Sequence, residues 1–502
     1  MENLDWLEWD PKPCSIDFDI LEHGNLPEKV QHMQLRRSKS LKLTAVGKGA
    51  GYFSLDEHIQ LRPGESLPYF NETTGETRSD ELVRLRGVSI DRTTNESSGL
   101  FEEDSHPLII DAQFGEVKIS ECDLPIDTHI EWIVNLSTDY ILSRGTSRER
   151  TVLLKRDRGN GDILECKLSK SSDSSYDCFH FECTIGEEEW SAVAGKVSES
   201  ITSSLYKPGF IEYSNLNGLL PSETIRSKIL SSLSFIFGRQ LSIVGSTSLS
   251  KERIRVCCTA MTIRLVDEKI CSKSSRIPFP LGLAQNEYFL DEAKISTAIS
   301  RLSTEMQNFE IEHSLFLIHL SDASPLDVKA AHLGAAIESL RDTYYKKKLG
   351  SKLLSKEVWE EAIKKPLLAT FEDAISKLDN PSMGDSIEIL RNKLTNLNDK
   401  SSNMRYREFF DLISLPIGKV EREALDERNK PAHGHRYEAS QYQGLLMITN
   451  ALRSLFNRIL LKITGASDCY IDYSTYGYPV RDINQPLGGP EGDGNPFKIH
   501  KN

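Results

Sequence analysis

Ser324-Pro-Leu-Asp-Val-Lys-Ala-Ala-His-Leu-Gly-Ala-Ala-Ile-Glu-Ser-Leu-Arg-Asp-Thr-Tyr-Tyr345 decides how the second half of the chain is built. Leu326, Ala330, Leu333, Ile337, Leu340 and Tyr344 recur at steps of three and four, which winds them into one stripe along an α-helix. Proline tolerates the first helical position, and a serine before it with an acid three residues on is the pattern of a capping box, so Ser324, Pro325 and Asp327 predict the helix start. The same period continues from about Asp291 through KEVWEEAIKKPLLATFEDAISKL, DSIEILRNKLTNL and YREFFDLISL. It ends in a helix predicted from about Tyr437 to Ile463, with Leu445, Ile448, Leu452, Leu455, Ile459 and Ile463 on its buried side. Short connections between such helices imply an antiparallel bundle over 291–465.

Ahead of the bundle the period is two. ELVRLRGVSI, PLIIDAQFGEVKIS, HIEWIVNL, TVLLKR and DCFHFECTI alternate and are separated by turn-rich pieces, as antiparallel strands with one wet face are written. This gives a β-rich region over 1–195, with a Ser-rich seam from Lys196 to Ser204. A mixed segment over 196–290 follows: PSETIRSKILSSLSFIFG predicts a helix stopped by Gly238, and QLSIVGS and ERIRVCCTAMTIRLV predict strands. Residues 466–502 are rich in Gly and Pro and read as a tail whose final part is disordered. The fold class is α+β and multidomain, antiparallel sheets first and an all-α antiparallel bundle second.

Composition bounds the function. The 502 residues exceed what one core serves, and 38% apolar with 27% charged is an ordinary globular balance. The net charge is −13, of which residues 291–502 carry only −2, from 28 Lys+Arg against 30 Asp+Glu, so phosphate is better tolerated by the bundle than by the acidic first half. MENLDWLEWD lacks the basic flank of a signal peptide and no apolar run is long enough to span a bilayer, so the expected place is the cytoplasm, without membrane association. Nine cysteines then read as reduced thiols.

The chemistry-bearing stretch is Glu427-Arg-Asn-Lys-Pro-Ala-His-Gly-His-Arg-Tyr437. Pro431 keeps it from being helical throughout, so Arg428 ends one helix and the histidines lead into the next. Arginine binds two phosphate oxygens together, and histidine moves protons near neutrality. Cleaving RNA needs a base for the 2′-hydroxyl, an acid for the leaving 5′-oxygen and positive charge on the phosphorus, with no metal or other cofactor. One set of such groups per chain is sparse, and two copies facing each other are the natural remedy. The alternative is a surface helix end with a cap-region histidine.

Arg428-Asn429-x-x-x-His433 resembles the R-x(4–6)-H motif of HEPN domains, and Arg428 to His435 satisfies its longer spacing; R-N-x-x-x-H arises by chance only about 0.03 times in such a chain. The motif's place before the final long helix of a bundle is similar as well, and a β-rich region ahead of it resembles the ApeA-like group of bacterial anti-phage proteins. The resemblance implies a metal-independent, usually dimeric endoribonuclease leaving a 2′,3′-cyclic phosphate, acting on host RNA with tRNA the leading candidate in an abortive response. It implies that His433 transfers the proton, Arg428 holds the phosphate and Asn429 orients the pair, with His435 and Glu338 as auxiliaries. Lys346, Lys347, Lys348, Lys430 and Arg436 are the expected RNA contacts, with Tyr344 and Tyr345 beside the lysine run; a solvated helix end is the other reading of the run from Tyr344 to Lys348. The partners expected are RNA, a second copy or higher homo-oligomer through the bundle, and a phage-derived protein trigger at the N-terminal region. A non-catalytic HEPN module for dimerisation or RNA binding is the alternative, and a carbohydrate- or peptide-binding β-region with the bundle as scaffold is a further one.

Three weaker patterns complete the reading. GKGAGYF at Gly47 has the glycines of a phosphate cradle without its Lys-Ser/Thr ending, and reads as a β-turn. Cys166, Cys178, His180 and Cys183 suggest zinc, but strand alternation puts Cys178 and His180 on one face and Cys183 on the other, so no metal is expected. Cys257-Cys258 reads as packing.

Overall fold

A computed structural model of the chain describes residues 16–37, 42–50, 71–95, 107–136, 140–147, 150–157, 163–170, 174–196, 209–214, 219–262, 276–348, 350–377, 384–428, 438 and 441–488. The chain divides into two compact units, Met1–Ser300 and Arg301–Asn502.

The first unit is built on a 15-stranded, wholly antiparallel sheet. Near its middle lies β1 (Thr128–Ile133), and β2 (Ser174–Ile185), β3 (Glu188–Lys196) and β4 (Gly209–Ser214) extend the sheet from one side of it. On its other side come β5 (Ile243–Leu249) and β6 (Arg255–Met261), so strands from both sides of the Ser-rich seam share one sheet. Open sheets this wide curl. Here the alternating inward residues of the remaining strands, among them Phe18, Met33, Leu85, Ile110 and Phe114, meet Cys258 and Ala260 in one core. Arg37 reaches across it to donate to the Val244 and Met261 carbonyls at 2.7 and 3.0 Å. Helix α1 (Glu223–Ile236) forms where predicted: Ser222 Oγ accepts from the Ile225 N–H, and Gly238 at φ 61° stops it.

Two motifs of this unit resolve. Gly47 and Gly49 lie in a strand, Leu43–Ala50, and not in a turn; a side chain on Gly49 would stand 2.0 Å from the Lys29 carbonyl oxygen, so close backbone approach explains the glycines. In β2, Phe179, Phe181, Cys183 and Ile185 are buried on one face while Cys178 and His180 take the other. Cys166 sits in a separate two-stranded ladder, and among the described residues no three His, Cys, Asp or Glu side chains are placed to share a metal.

The second unit is helical. After α2 (Glu292–Phe309) come α3 (Ile311–Ala323) and α4 (Leu326–Lys348), which carries the stripe: Ala330, Leu333, Ile337 and Leu340 are all buried. The expected serine cap is absent, because Ser324 Oγ donates back to the Leu320 carbonyl at 2.8 Å and closes α3 instead. A π-helical turn, Val358–Lys364, continues into α5 (Lys365–Ser376), and α6 (Gly384–Thr395) packs against it. This hairpin leaves apolar side chains in water, with Ile389 56% and Leu397 53% exposed. Then follow α7 (Ser402–Leu412), α8 (Lys419–Glu427) and α9 (Tyr442–Thr464), whose Leu445, Leu452, Leu455 and Ile459 are buried as the period predicts.

Part of the segment beyond Gly465 is folded. Strands β7 (Cys469–Ile471) and β8 (Val480–Asp482) form a hairpin whose Tyr470 and Asp472 are wholly buried. Asp472 accepts from Arg481 Nε at 2.8 Å and the Gly488 N–H at 3.0 Å; burial pushes its carboxyl up, but hydrogen bonds from Ser474, Gly488, Arg481 and Thr475 together hold it below the usual range. Arg458 of α9 donates to the Ile483 carbonyl and to Glu421 of α8. No helix among the described residues is long and apolar enough to cross a membrane.

Candidate functional site

Arg428 is the residue on which the motif and the fold meet. It follows the last residue of α8 as its C-cap, and its side chain turns inward, 5% exposed, under α4 and α7. What admits it is Gly334 of α4: a side chain there would stand 3.1 to 3.3 Å from the Arg428 Cδ, Cβ and Cγ. Glu338, one helical turn further on, accepts from Arg428 Nη2 at 3.0 Å and Nε at 3.3 Å. Nη1 donates to the Leu425 carbonyl and Nη2 also to Ser402 Oγ at 3.4 Å. Four hydrogen bonds thus fix a guanidinium that has five N–H groups to give.

The second layer comes from α7. The Arg428 guanidinium lies 4.7 Å from the centre of the Tyr406 ring, and that of Arg341 lies 4.3 Å from it. Arg341 donates to Ser402 Oγ at 3.2 Å and to Asp342 at 2.8 Å, so one serine joins the two arginines. Tyr406 is buried, its ring stacks on Phe410 at 5.9 Å, and its hydroxyl has no hydrogen-bond partner among the described residues. Burial pushes that hydroxyl far above its ordinary pKa, so it remains a donor across the physiological range.

Beside this group a cavity of about 480 Å³ opens to solvent. Arg428, Tyr406, Phe410 and Leu425 wall it, and Arg407, Arg422, Asp411 and Asp426 stand at its exposed rim. Arginine fork, acidic anchor and open cavity together can hold an anion, with the anchor setting which face of the fork it meets.

The other predicted residues divide into three sets. Asn429, Lys430, His433, His435 and Arg436 lie outside the described residues, as do the side chains of Lys346 and Lys347; Lys348 is exposed at the end of α4. Glu338 and Arg428 are brought together. Tyr344 and Tyr345 are not a stacking platform for RNA. Tyr345 is buried, and Tyr344 stacks on Phe309 at 5.0 Å and meets Phe409 edge-on, so both are packing residues. Sequence reasoning missed Tyr406, Ser402 and Arg341; the only signal for Tyr406 is its place with Phe410 at a four-residue step. No protein-family model, curated protein or solved structure matches the chain.

Proposed function

We propose that the helical unit is a metal-independent endoribonuclease of the HEPN kind, with Arg428 as the group that receives the scissile phosphate. The carrying observation is Arg428, the first residue of the R-N-x-x-x-H motif, held by Glu338 on the wall of an open cavity. Glu338 takes the Nε and Nη2 side of the fork, and the bond to Leu425 leaves one Nη1 N–H for a phosphate oxygen. Further oxygens are gained by exchanging the 38%-exposed Glu338 carboxylate for phosphate. His433 removes the 2′-hydroxyl proton, the 2′-oxygen bonds to phosphorus, the P–O5′ bond breaks, and the 5′-oxygen takes a proton from a second imidazole. The guanidinium offsets the charge that grows on the phosphoryl oxygens. A second copy supplies that imidazole in this reading, and the exposed apolar side chains of the α5–α6 hairpin are a surface on which copies would join. Host RNA, with tRNA first, is the substrate proposed, and the large acidic first unit is proposed to sense a phage-derived trigger in the cytoplasm.

A second reading, a bundle without catalysis that binds RNA or dimerises, is favoured by the saturation of Arg428: a guanidinium with four internal hydrogen bonds also serves as a strut. Sequencing RNA ends from cells expressing wild type, Arg428→Ala and His433→Ala separates the two. New ends that vanish in both variants support the nuclease; identical end profiles in all three would leave the strut.

A further inference from the structure

We propose that the cavity between α7 and α8 takes one unpaired nucleobase of the RNA, that of the nucleotide adjoining the linkage presented to Arg428, with the flanking backbone phosphate on Arg407 and Arg422. The inference rests on the reading of the bundle as acting on RNA, and it adds where the chain's specificity lies.

The cavity is of ligand-site size, about 480 Å³ where small-molecule pockets span roughly 300–1,000 Å³. Its inner wall is apolar: the buried Phe410, Leu415 and Leu425 line it, with Pro416 exposed beside them, and Phe410 already stacks on Tyr406. Such a wall suits a planar ring, because every base presents a π-face whatever its sequence. The Arg428 guanidinium stands in the same wall, 4.7 Å from the centre of the Tyr406 ring.

The rim selects between occupants. Arg407 and Asp411 stand four residues apart on α7, and Arg422 and Asp426 four apart on α8, all exposed and all at the cavity. Neither pair lies within ion-pairing distance among the described contacts, and Arg422 spends Nη1 on the Ile417 carbonyl at 3.0 Å. A simple anion would use the arginines but be repelled by two aspartates, and an aliphatic ligand would use neither. A nucleotide uses both, since carboxylates accept from the exocyclic amines of bases while arginines hold phosphate. Arg428 borders the same cavity, so a base seated there brings its own ribose-phosphate to the guanidinium.

The test uses the full-length protein and a short single-stranded RNA with 2′-fluoro substitution at every linkage, which lacks the attacking hydroxyl and binds without being cut. Bases are removed one position at a time, and affinity is read by fluorescence anisotropy for wild type, Asn403→Trp and Arg407→Ala/Arg422→Ala. Asn403 is exposed, lines the cavity and makes no bond to Arg428, so an indole there fills the space; a melting temperature near wild type certifies folding. Removing one particular base is expected to weaken wild-type binding about tenfold, the effect of one lost stacking contact. Asn403→Trp is expected to weaken binding of the intact RNA by a similar factor and to be indifferent to that base. The arginine variant is expected to weaken binding with and without the base alike. Equal affinity for every abasic RNA, or wild-type affinity in Asn403→Trp, would overturn the proposal. Base-dependent binding with no cleavage of ordinary RNA would sink the nuclease reading and keep the pocket; cleavage without base dependence would do the reverse; no RNA binding would remove both.

Discussion

Replacing Glu421 by leucine is expected to destabilise the helical unit by about 3–5 kcal/mol, the range for leaving one member of a buried ion pair alone. Glu421 and Arg458 are each wholly buried and bonded at 2.9 Å. The same carboxylate accepts from the Gly418 N–H at 3.0 Å, at the start of α8, and from the Leu487 N–H at 2.8 Å, in the segment beyond α9. One side chain therefore ties three elements together, and its loss orphans two backbone donors as well as a guanidinium. Burial opposes charge on both partners, raising the Glu421 pKa and lowering that of Arg458, so each is tolerated only because the other and the N–H groups are there. The loss is large against the roughly 5–15 kcal/mol that a domain has in total. The double variant Glu421→Leu/Arg458→Met removes both charges and should recover about 2 kcal/mol or more of it, leaving the two orphaned N–H groups and the Ile483 carbonyl, which loses its bond from Arg458, as the residual cost. Urea denaturation followed by circular dichroism gives both numbers, and hydrogen exchange should locate the loosening at residues 469–488. A single variant within about 1 kcal/mol of wild type, or a double variant no better than the single, would refute the reasoning. The consequence for function is that α8 is seated by this pair and carries Arg428 at its end.

His319 is buried with both ring nitrogens unpartnered among the described residues, and burial, aided by Arg453, lowers its pKa from 6.5 to about 3. The unfolded chain binds its proton below pH 6.5 while the fold refuses it down to about 3, so stability is full above 6.5 and falls as pH drops through that window. His319→Leu should flatten the acid limb of the helical unit's melting curve by up to about 1.4 kcal/mol per pH unit. Gly334→Ala should leave stability within about 1 kcal/mol, because helix propensity offsets the tight contacts, yet displace Arg428 by a few tenths of an ångström; cleavage should fall about tenfold, read against an unchanged melting temperature. Burial raises the thiols of Cys178 to about 11 and of Cys183 and Cys258 to about 12. Among these six described cysteines, mass spectrometry after alkylation at neutral pH should find Cys122, Cys257 and Cys469 modified first and the three buried ones only after unfolding.

What the sequence made legible was what local period controls. The switch from alternation to helical spacing, the stripe of α4, the stop at Gly238 and the buried side of α9 all follow from neighbours within a turn or two. The order of strands does not, since β1 pairs with β5 across more than 100 residues and no local pattern names that partner. Ser324 shows the limit at an interhelical corner: the same hydroxyl suits the end of one helix and the start of the next, and backbone geometry chooses. At the site, Glu338 stood out because it flanks the stripe of a strongly periodic helix. Tyr406 and Ser402 did not, because their roles exist only once α7 lies against α4 and α8. The β7–β8 hairpin was hidden by a composition that reads as irregular, and its order comes from Asp472, Arg481 and the buried charges beneath it.

Purified protein incubated with total RNA in the presence of a chelator, with the product ends resolved chemically, tests the central claim most directly. The account predicts cleavage that survives chelation and leaves 2′,3′-cyclic phosphates, lost at least about a hundredfold in Arg428→Ala, as for removal of a charge-stabilising group. Intact RNA beside folded wild-type protein, or an Arg428→Ala protein that cuts at the wild-type rate, would contradict it.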